Sequence, residues 1–384
     1  MVNIYNFDKI KFFTDFFSFA NQYHVYDFAL GVPDFPIDNR LKELLRESVD
    51  YINHGYETLQ GNPILIDEIK KFNENREIPL VVKHSEISVV PCATFALFTA
   101  LKSILNEGDE VIIIEPNYYT YAPVVVLAGG KPVYSSVKED FSMNWECLEQ
   151  SITYKTKVII VNSPQNPTGK ILSKFDWEKL YQLIENTAIQ LISEEVYDMY
   201  CYDNRDFYSA FHHPKLKERS FCLFSFGKMF HTSGWKVSYI LASEELQEKF
   251  KTHQQYISYG VNTSSQYALA KFLPIFNEVE NNTFVQNKRD LFCNLIEDTS
   301  FKILEKTEGG FYQLLNFREI DNKMSDVEFC KWLIKEKQIS ALPLSAFYSS
   351  KENSDFIRMS FLRQDDIIIN GLEQMITKKI ITTL

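Results

Sequence analysis

The stretch Ser225-Phe226-Gly227-Lys228-Met229-Phe230-His231-Thr232-Ser233-Gly234-Trp235-Lys236 follows an apolar run, Phe221 to Phe224. A short apolar run of this kind predicts a buried strand, so Lys228 is expected close to the end of that strand. Most lysines that follow a strand are solvated, and the stretch taken alone favours that interpretation. Two lysines eight residues apart, with a serine before them and a Gly-Trp pair between them, are nevertheless unusual for a plain surface loop. The rest of the chain decides between the two interpretations.

Length and composition predict a soluble protein of two domains. A chain of 384 residues exceeds one ordinary core, and its 45% hydrophobic and 24% charged residues are typical of globular proteins. A net charge of −11 argues against a nucleic-acid partner, which requires a basic surface. No apolar run approaches the ~18 residues that cross a bilayer, so no membrane partner is expected. The six cysteines lack CxxC spacing, which indicates neither a disulfide framework nor a zinc site and suits the cytoplasm.

Short apolar runs rich in valine and isoleucine alternate with helical segments from about residue 86 onwards. This alternation predicts an α/β fold with a mostly parallel sheet that helices cover on both faces. The sequence Ser173-x-x-Asp176 indicates a capping box at the start of one helix. The predicted strands are 87–90, 111–114, 158–161, 189–193 and 221–224, and the clearest helices are 94–106 and 174–186.

A polar motif follows each of the other four predicted strands. They are Pro91-Cys92-Ala93-Thr94, Glu115 to Tyr121, Asn166-Pro167-Thr168-Gly169 and Glu194-Glu195-Val196-Tyr197. Taken singly, they are also typical of a threonine helix cap, packed tyrosines, a turn and a solvated acidic pair. Ligands of parallel sheets bind beyond the carboxyl ends of the strands, so the motifs are expected to share one site.

Together with Lys228 and the sequence Phe356-Ile357-Arg358, these motifs resemble the fold type I pyridoxal 5'-phosphate (PLP) aminotransferases of class I/II. The resemblance is strongest to the kynurenine/methionine aminotransferase branch and covers nearly all of the chain. It implies a large domain with a mostly parallel sheet between helices and a smaller α+β domain. The expected division is an N-terminal segment, 1–40, that packs with the small domain, a PLP-binding domain, 41–271, and a small domain, 272–384.

The resemblance implies that PLP is the cofactor and gives most motifs a role in binding it. Lys228 is expected to hold the cofactor's aldehyde as an aldimine and to move a proton during the reaction. Asn166 and Tyr197 are expected to bind the phenolic oxygen, and Tyr118 to stack on the ring. Phosphate binding is implied for Ala93, Thr94, Ser225 and Lys236, the first two through backbone amides at a helix N-terminus.

Glu194 is the most serious departure from the family pattern, which has aspartate at this position. The role requires an anion at the pyridine nitrogen, because the protonated ring withdraws electrons from the reacting carbon. Glutamate moves the carboxylate by roughly one C–C bond, about 1.5 Å. We expect Glu194 to reach the nitrogen with a slight displacement of the ring or strand; the competing outcome is that it turns away.

The resemblance also implies a substrate site and a shared dimer. Gly31, Asn166 and Arg358 are expected at the substrate, with Arg358 on an edge-like strand, where its planar guanidinium would bind the α-carboxylate. In the family, the residue that corresponds to Tyr56 reaches across the dimer interface to the cofactor phosphate of the other subunit. A homodimer with composite active sites is therefore expected.

The sequence thus predicts an enzyme, a PLP-dependent aminotransferase that acts on large apolar, sulfur-containing or aromatic amino acids and passes the amino group to a 2-oxo acid. Methionine is the representative substrate. A carbon–sulfur β-lyase that uses the same lysine and cofactor is an alternative. A degenerate PLP-binding protein is a third interpretation, motivated by Cys92 and Glu194, although Lys228, Asn166, Tyr197 and Arg358 argue against it.

Overall fold

The strands of the described residues belong to three sheets. In the computed structural model, residues 8–51, 53–350 and 353–375 are described. The ends of the predicted N-terminal segment and small domain, residues 1–7 and 376–384, lie outside the described residues. The strands are β1 (Tyr26–Asp27), β2 (Ile87–Val90), β3 (Glu110–Glu115), β4 (Lys131–Ser136), β5 (Thr156–Asn162), β6 (Gln190–Glu194), β7 (Ser220–Ser225), β8 (Ser238–Ala242), β9 (Tyr312–Asn316), β10 (Ile339–Ser340), β11 (Leu342–Pro343) and β12 (Phe356–Ser360).

Helices separate most of the strands, as predicted. Helix α7 begins with the expected capping box: Ser173 Oγ accepts a hydrogen bond from Asp176 N, and the Asp176 carboxylate accepts one from Ser173 N. The helices are α1 (Asp8–Ala20), α2 (Asn39–Tyr51), α3 (Pro63–Glu74), α4 (Ala93–Ile104), α5 (Tyr121–Ala128), α6 (Trp145–Ser151), α7 (Lys174–Ile184), α8 (Pro214–Lys217), α9 (Phe226–Met229), α10 (Glu244–Ile257), α11 (Thr263–Phe272), α12 (Glu278–Glu297), α13 (Asp326–Trp332) and α14 (Asp365–Glu373).

The central sheet has the strand order β2-β8-β7-β6-β5-β3-β4. Its strands from β7 to β4 pair in parallel, and β8 is antiparallel to both β7 and β2. Alternate residues of β3 enter different apolar clusters, Val111 and Ile113 on one face and Ile112 and Ile114 on the other. Both faces are therefore covered, which explains why the strands are short apolar runs without polar alternation. The predicted mostly parallel α/β sheet is confirmed.

The strand register aligns the carboxyl ends of β2, β6 and β7 at one edge of this sheet. Val90 and Ser225 both pair with Ser238, the first residue of the antiparallel strand β8. Glu194, the last residue of β6, pairs with Leu223 of β7 on one side and with Asn162 of β5 on the other. The motifs that follow these strands consequently converge, as expected of parallel strands.

The C-terminal part of the chain forms a three-stranded antiparallel sheet, in the order β11-β12-β9. Arg358 lies on β12, the middle strand, so the prediction that it lies on an edge-like strand is wrong. The second neighbour is β11, whose two residues pair with Ile357 and Arg358. Two residues are too few to produce a recognisable strand pattern, which explains the error.

The N-terminal segment is attached to the C-terminal part of the chain. Strand β1 pairs in parallel with β10, and Phe28 contacts Phe292 of α12 at a centroid distance of 6.1 Å. These contacts agree with an N-terminal segment that packs on the small domain. The division at residues 40 and 271 stays a prediction.

Candidate active site

A cavity of about 290 Å³ opens at the carboxyl edge of the central sheet. Of the twelve residues that the sequence predicts for the site, eleven line this cavity: Gly31, Ala93, Thr94, Tyr118, Asn166, Glu194, Tyr197, Ser225, Lys228, Lys236 and Arg358. The twelfth, Tyr56, lies outside it with 91% of its surface exposed and contacts the ring of Tyr259 edge-on. Its predicted role in a neighbouring subunit's site stays a prediction.

Lys228 projects into the cavity from the short helix α9, directly after β7. Its Nζ donates a hydrogen bond to the carbonyl oxygen of Gly31 at 3.2 Å and lies 5.8 Å from the ring centroid of Tyr197. The hydroxyl of Tyr200 donates to the carbonyl oxygens of Lys228 and Met229. These bonds fix the backbone from which the lysine extends, so the amine is held at the centre of the site.

Gly31 allows the N-terminal segment to approach the cavity closely. A Cβ atom at this position would lie 1.7 Å from the hydroxyl oxygen of Tyr312. Any side chain here would therefore displace Tyr312 from the cavity wall. The predicted role of Gly31 at the substrate stays a prediction.

An anion-binding cradle lies where β2, β7 and β8 meet. Cys92 caps α4, since its Sγ accepts a hydrogen bond from Phe95 N at 3.4 Å, so the alternative in which Thr94 is the cap is wrong. Within the described ranges, no residue accepts a hydrogen bond from the amides of Ala93 or Thr94, and no acidic group pairs with Lys236. Free amides at a helix N-terminus beside an unpaired ammonium favour a bound anion.

Glu194 lies at the end of β6 with its carboxylate in the cavity wall. Its Oε2 accepts a hydrogen bond from the hydroxyl of Tyr121, and its Oε1 has no partner among the described residues. Burial raises the pKa of Glu194, while the hydrogen bond from Tyr121 and the positive charge of Lys228 oppose that rise. Tyr121 was not predicted as a site residue.

Glu195 points away from the cavity into the protein interior. Its side chain is fully buried and accepts hydrogen bonds from Ser193 Oγ and from the amide of Ala210. Burial raises its pKa to about 7. The interpretation of Glu194 and Glu195 as a solvated acidic pair is therefore wrong.

Two phenols meet beside the lysine. The hydroxyl oxygens of Tyr197 and Tyr312 are 3.3 Å apart, and both side chains are buried. Burial opposes ionisation of Tyr312, but the positive charges of Arg358 and Lys228 outweigh it and lower the pKa of this phenol. Tyr312 was not predicted as a site residue.

Arg358 is a buried cation without an anionic partner in the described part of the chain. Its Nη1 donates to Asn166 Oδ1 and its Nη2 to the carbonyl oxygen of Ala29, both at 2.7 Å. The guanidinium lies between two aromatic rings, 3.8 Å from the centroid of Tyr312 and 4.8 Å from that of Phe347. Only 4% of the residue is exposed, and its Nε has no partner among the described residues. A buried charge is costly unless an opposite charge binds it, so the position favours a ligand carboxylate.

One wall of the cavity is apolar. Helix α1 contributes Phe13 and Phe17, and the ring of Phe13 packs 4.3 Å from that of Tyr119 and 6.4 Å from that of Phe347. The phenylalanines of this helix recur at helical spacing, but that spacing does not indicate that the helix reaches the site. The other apolar residues of the wall are Leu30, Val32 and Leu342.

Neither a metal centre nor a membrane span was found in the described ranges. No group of three histidine, cysteine, aspartate or glutamate residues within them is placed to hold a metal ion. None of the helices there has the length and apolar character needed to cross a membrane.

Known proteins resemble this chain over most of its length. Residues 23–368 match the family described as aminotransferase class I and II. A methionine aminotransferase of Escherichia coli is 30% identical over 366 residues, which are 94% of each chain. A solved structure of a methionine aminotransferase from Escherichia coli has a TM-score of 0.91 at 30% identity and covers 94% of this chain and 96% of that one.

Two further relatives differ in the substrate that their names give. An aspartate aminotransferase of Sulfurisphaera tokodaii is 33% identical over 362 residues, 91% of this chain and 89% of its own. A human kynurenine–oxoglutarate transaminase is 28% identical over 400 residues, 95% of this chain and 94% of its own. The relatives agree on amino-group transfer and differ in the amino acid.

Proposed function

Because the chain belongs to the class I and II aminotransferases, a family of PLP-dependent enzymes, we propose that it transfers the amino group of a large apolar, sulfur-containing or aromatic amino acid to a 2-oxo acid. Methionine is the representative donor. The observation that carries this substrate class is the apolar wall of the cavity, formed by Phe13, Phe17 and Phe347 with their aliphatic neighbours.

The residues of the cavity fit PLP. The unpaired amides of Ala93 and Thr94 and the unpaired ammonium of Lys236 suit its phosphate, and the free Oε1 of Glu194 suits its ring nitrogen. When bound, PLP supplies an electron sink that stabilises negative charge on the substrate carbon. The aromatic ring of Tyr118 at the cavity wall offers a flat surface for the cofactor ring.

The side chains around Lys228 support the handling of protons at the substrate carbon. Lys228 Nζ provides the amine that binds the cofactor's aldehyde and can then carry a proton to and from the substrate Cα. The Tyr197 hydroxyl lines the cavity, and if it accepts a hydrogen bond from Tyr312, its own proton is left to bind the cofactor's phenolic oxygen. Arg358 and Asn166, already joined by a hydrogen bond, would orient the substrate carboxylate.

The charges of the cavity support apolar over acidic donors. The lysines and arginines that line it in the described part of the chain are Lys228, Lys236 and Arg358, and each already has a role toward the cofactor or the α-carboxylate. A second substrate carboxylate, as in aspartate, would meet aromatic rings and lose its hydration without compensation. A thioether or an aromatic ring would instead gain apolar contact.

We further propose a cytoplasmic homodimer with shared active sites. The exposed Tyr56 and its edge-on neighbour Tyr259 support the dimer, since large aromatic side chains are enriched at protein interfaces. The six cysteines form no disulfide with one another, which supports a reducing compartment.

A donor panel tests the proposal. The purified protein, supplied with PLP, is assayed with methionine, phenylalanine, leucine, kynurenine, aspartate and glutamate, each with and without a 2-oxo acid. We expect turnover that requires the 2-oxo acid and a kcat/KM at least tenfold higher for methionine or phenylalanine than for aspartate. Aspartate as the best donor would refute the substrate class. Pyruvate release from S-substituted cysteines without a 2-oxo acid would instead establish the β-lyase.

A further inference from the structure

Tyr121 ends one of the motifs that carry the resemblance, but the resemblance assigned a role in that motif to Tyr118 and none to Tyr121 or to its contact with Glu194. Tyr121 is the first residue of α5, and only 3% of its surface is exposed. Its ring packs edge-on against that of Tyr118 at a centroid distance of 5.9 Å, and its amide donates to the carbonyl oxygen of Tyr118. The hydroxyl that donates to Glu194 is therefore fixed by the backbone and by packing.

A glutamate at position 194 needs such a contact more than an aspartate would. Glutamate has one more rotatable bond, and burying a flexible side chain in one conformation costs rotamer entropy. Without a partner, its carboxylate would occupy several rotamers at the cavity wall. The hydrogen bond from Tyr121 selects one rotamer and engages Oε2, which leaves Oε1 available to a second donor.

We propose that Tyr121 is a positioning residue: its hydroxyl holds the Glu194 carboxylate so that the free oxygen accepts the hydrogen bond of the protonated cofactor nitrogen. The proposal rests on the proposed PLP-dependent function. Tyr121 does not itself contact the cofactor in this scheme. It compensates for the longer side chain of glutamate by holding its carboxylate in one position. The Lys228 ammonium also lowers the pKa of Glu194, and the Glu194 carboxylate in turn raises the pKa values of Tyr118 and Tyr197.

The donated hydrogen bond also favours the ionised form of the carboxylate. Burial raises the pKa of Glu194, and a donor to the charged form lowers it. Removing the hydroxyl should raise this pKa and weaken the attraction that keeps the ring nitrogen protonated. Hydrogen bonds to charged groups are worth about 1.5–3 kcal/mol, so kcat of Tyr121→Phe should fall about 10- to 100-fold.

The test compares Tyr121→Phe with Tyr134→Phe, a matched removal of a partly buried hydroxyl on β4, outside the cavity. Each variant is reconstituted with PLP that carries ¹⁵N at the ring nitrogen. The nitrogen chemical shift then reports protonation independently of turnover. In the wild type and in Tyr134→Phe, we expect the ¹⁵N chemical shift of a protonated ring nitrogen. In Tyr121→Phe, the chemical shift should move toward the value of the unprotonated nitrogen. The KM for methionine should change little, because the substrate contacts are intact.

A double-mutant cycle with Glu194→Asp tests whether the effect of Tyr121→Phe depends on the length of the side chain at position 194. Aspartate is too short to retain the contact with Tyr121, so Tyr121→Phe should have little further effect in that background. Equal losses in both backgrounds, or a Tyr121→Phe variant with the nitrogen shift and kcat of the wild type, would overturn the proposal. Failure of the wild type to bind PLP would instead refute the proposed function, and the two failures are therefore distinguishable.

Discussion

Replacement of Arg358 by alanine tests the assignment of the substrate carboxylate site. The guanidinium is 4% exposed, lies between the rings of Tyr312 and Phe347 and has no carboxylate partner in the described part of the chain. An α-carboxylate that binds there would complete a desolvated, charge-assisted pair. The alanine variant should therefore lose most of its efficiency toward amino acids and retain PLP, since no predicted cofactor contact involves Arg358.

The expected loss follows from the burial of the pair. Truncating one partner of a buried, hydrogen-bonded charge pair costs about 2–5 kcal/mol. At about 1.4 kcal/mol per factor of ten, kcat/KM for methionine should fall by roughly 30-fold to several thousand-fold. Arg358→Lys retains the charge but loses the planar fork, so we expect an intermediate loss. The hydrogen bond that Asn166 Oδ1 accepts from Arg358 is also lost, which lowers efficiency further.

The decisive assay compares methionine with 3-(methylthio)propylamine, the same molecule without its carboxylate. In the wild type, kcat/KM should be much lower for the amine than for methionine. In Arg358→Ala, the kcat/KM values of the two substrates should become similar. Arg318→Ala is the matched control, because this arginine follows β9 of the same sheet but pairs with Asp355 outside the cavity. If Arg358→Ala slows both substrates by the same factor, the arginine does not recognise the carboxylate.

Three further predictions concern the cofactor, the dimer and the apolar wall. Borohydride should fix PLP to Lys228, as shown by peptide mapping, and a label on another lysine would refute the assignment. A mixture of Lys228→Ala and Tyr56→Phe protomers should regain part of the wild-type activity if the sites are composite; a monomer in solution would exclude that arrangement. Phe17→Ala should lower kcat/KM for methionine about 10-fold through lost apolar contact and change alanine turnover little. Phe19→Ala, on the same helix but outside the cavity, is the matched control. It should change the turnover of neither methionine nor alanine.

Local patterns were sufficient to predict five of the seven strands of the central sheet, whereas β4 and β8 were not predicted. The runs around 111–114, 158–161 and 221–224 are buried on both faces, so their composition differs clearly from that of their surroundings. Because parallel strands bring their carboxyl ends to one edge, the motifs that follow them had to converge. The eleven residues found around one cavity reflect this geometry together with the resemblance of their motifs to the family.

Contacts between distant parts of the chain could not be predicted. Tyr121 meets Glu194 across 73 positions of sequence, and no local pattern distinguishes its hydroxyl from those of Tyr118 and Tyr119. Phe17 looks like an ordinary apolar residue of an amphipathic helix, yet it lines the cavity because the N-terminal segment packs close to the site. Arg358 was assigned to an edge-like strand because the short partner strand β11 has no pattern of its own.

The two departures that motivated a degenerate protein are each compensated by a local contact. Cys92 caps α4 through its sulfur, so the amides of Ala93 and Thr94 remain free to bind an anion as backbone groups. Glu194 carries a longer arm, but Tyr121 holds one oxygen and leaves the other free at the cavity wall. A chain that had lost the need for catalysis would have no reason to retain a buried arginine without a carboxylate partner in the described structure, because burying that charge is costly. The substitutions therefore change how the cavity is built, while Lys228, Asn166 and Arg358 line it as the proposed function requires.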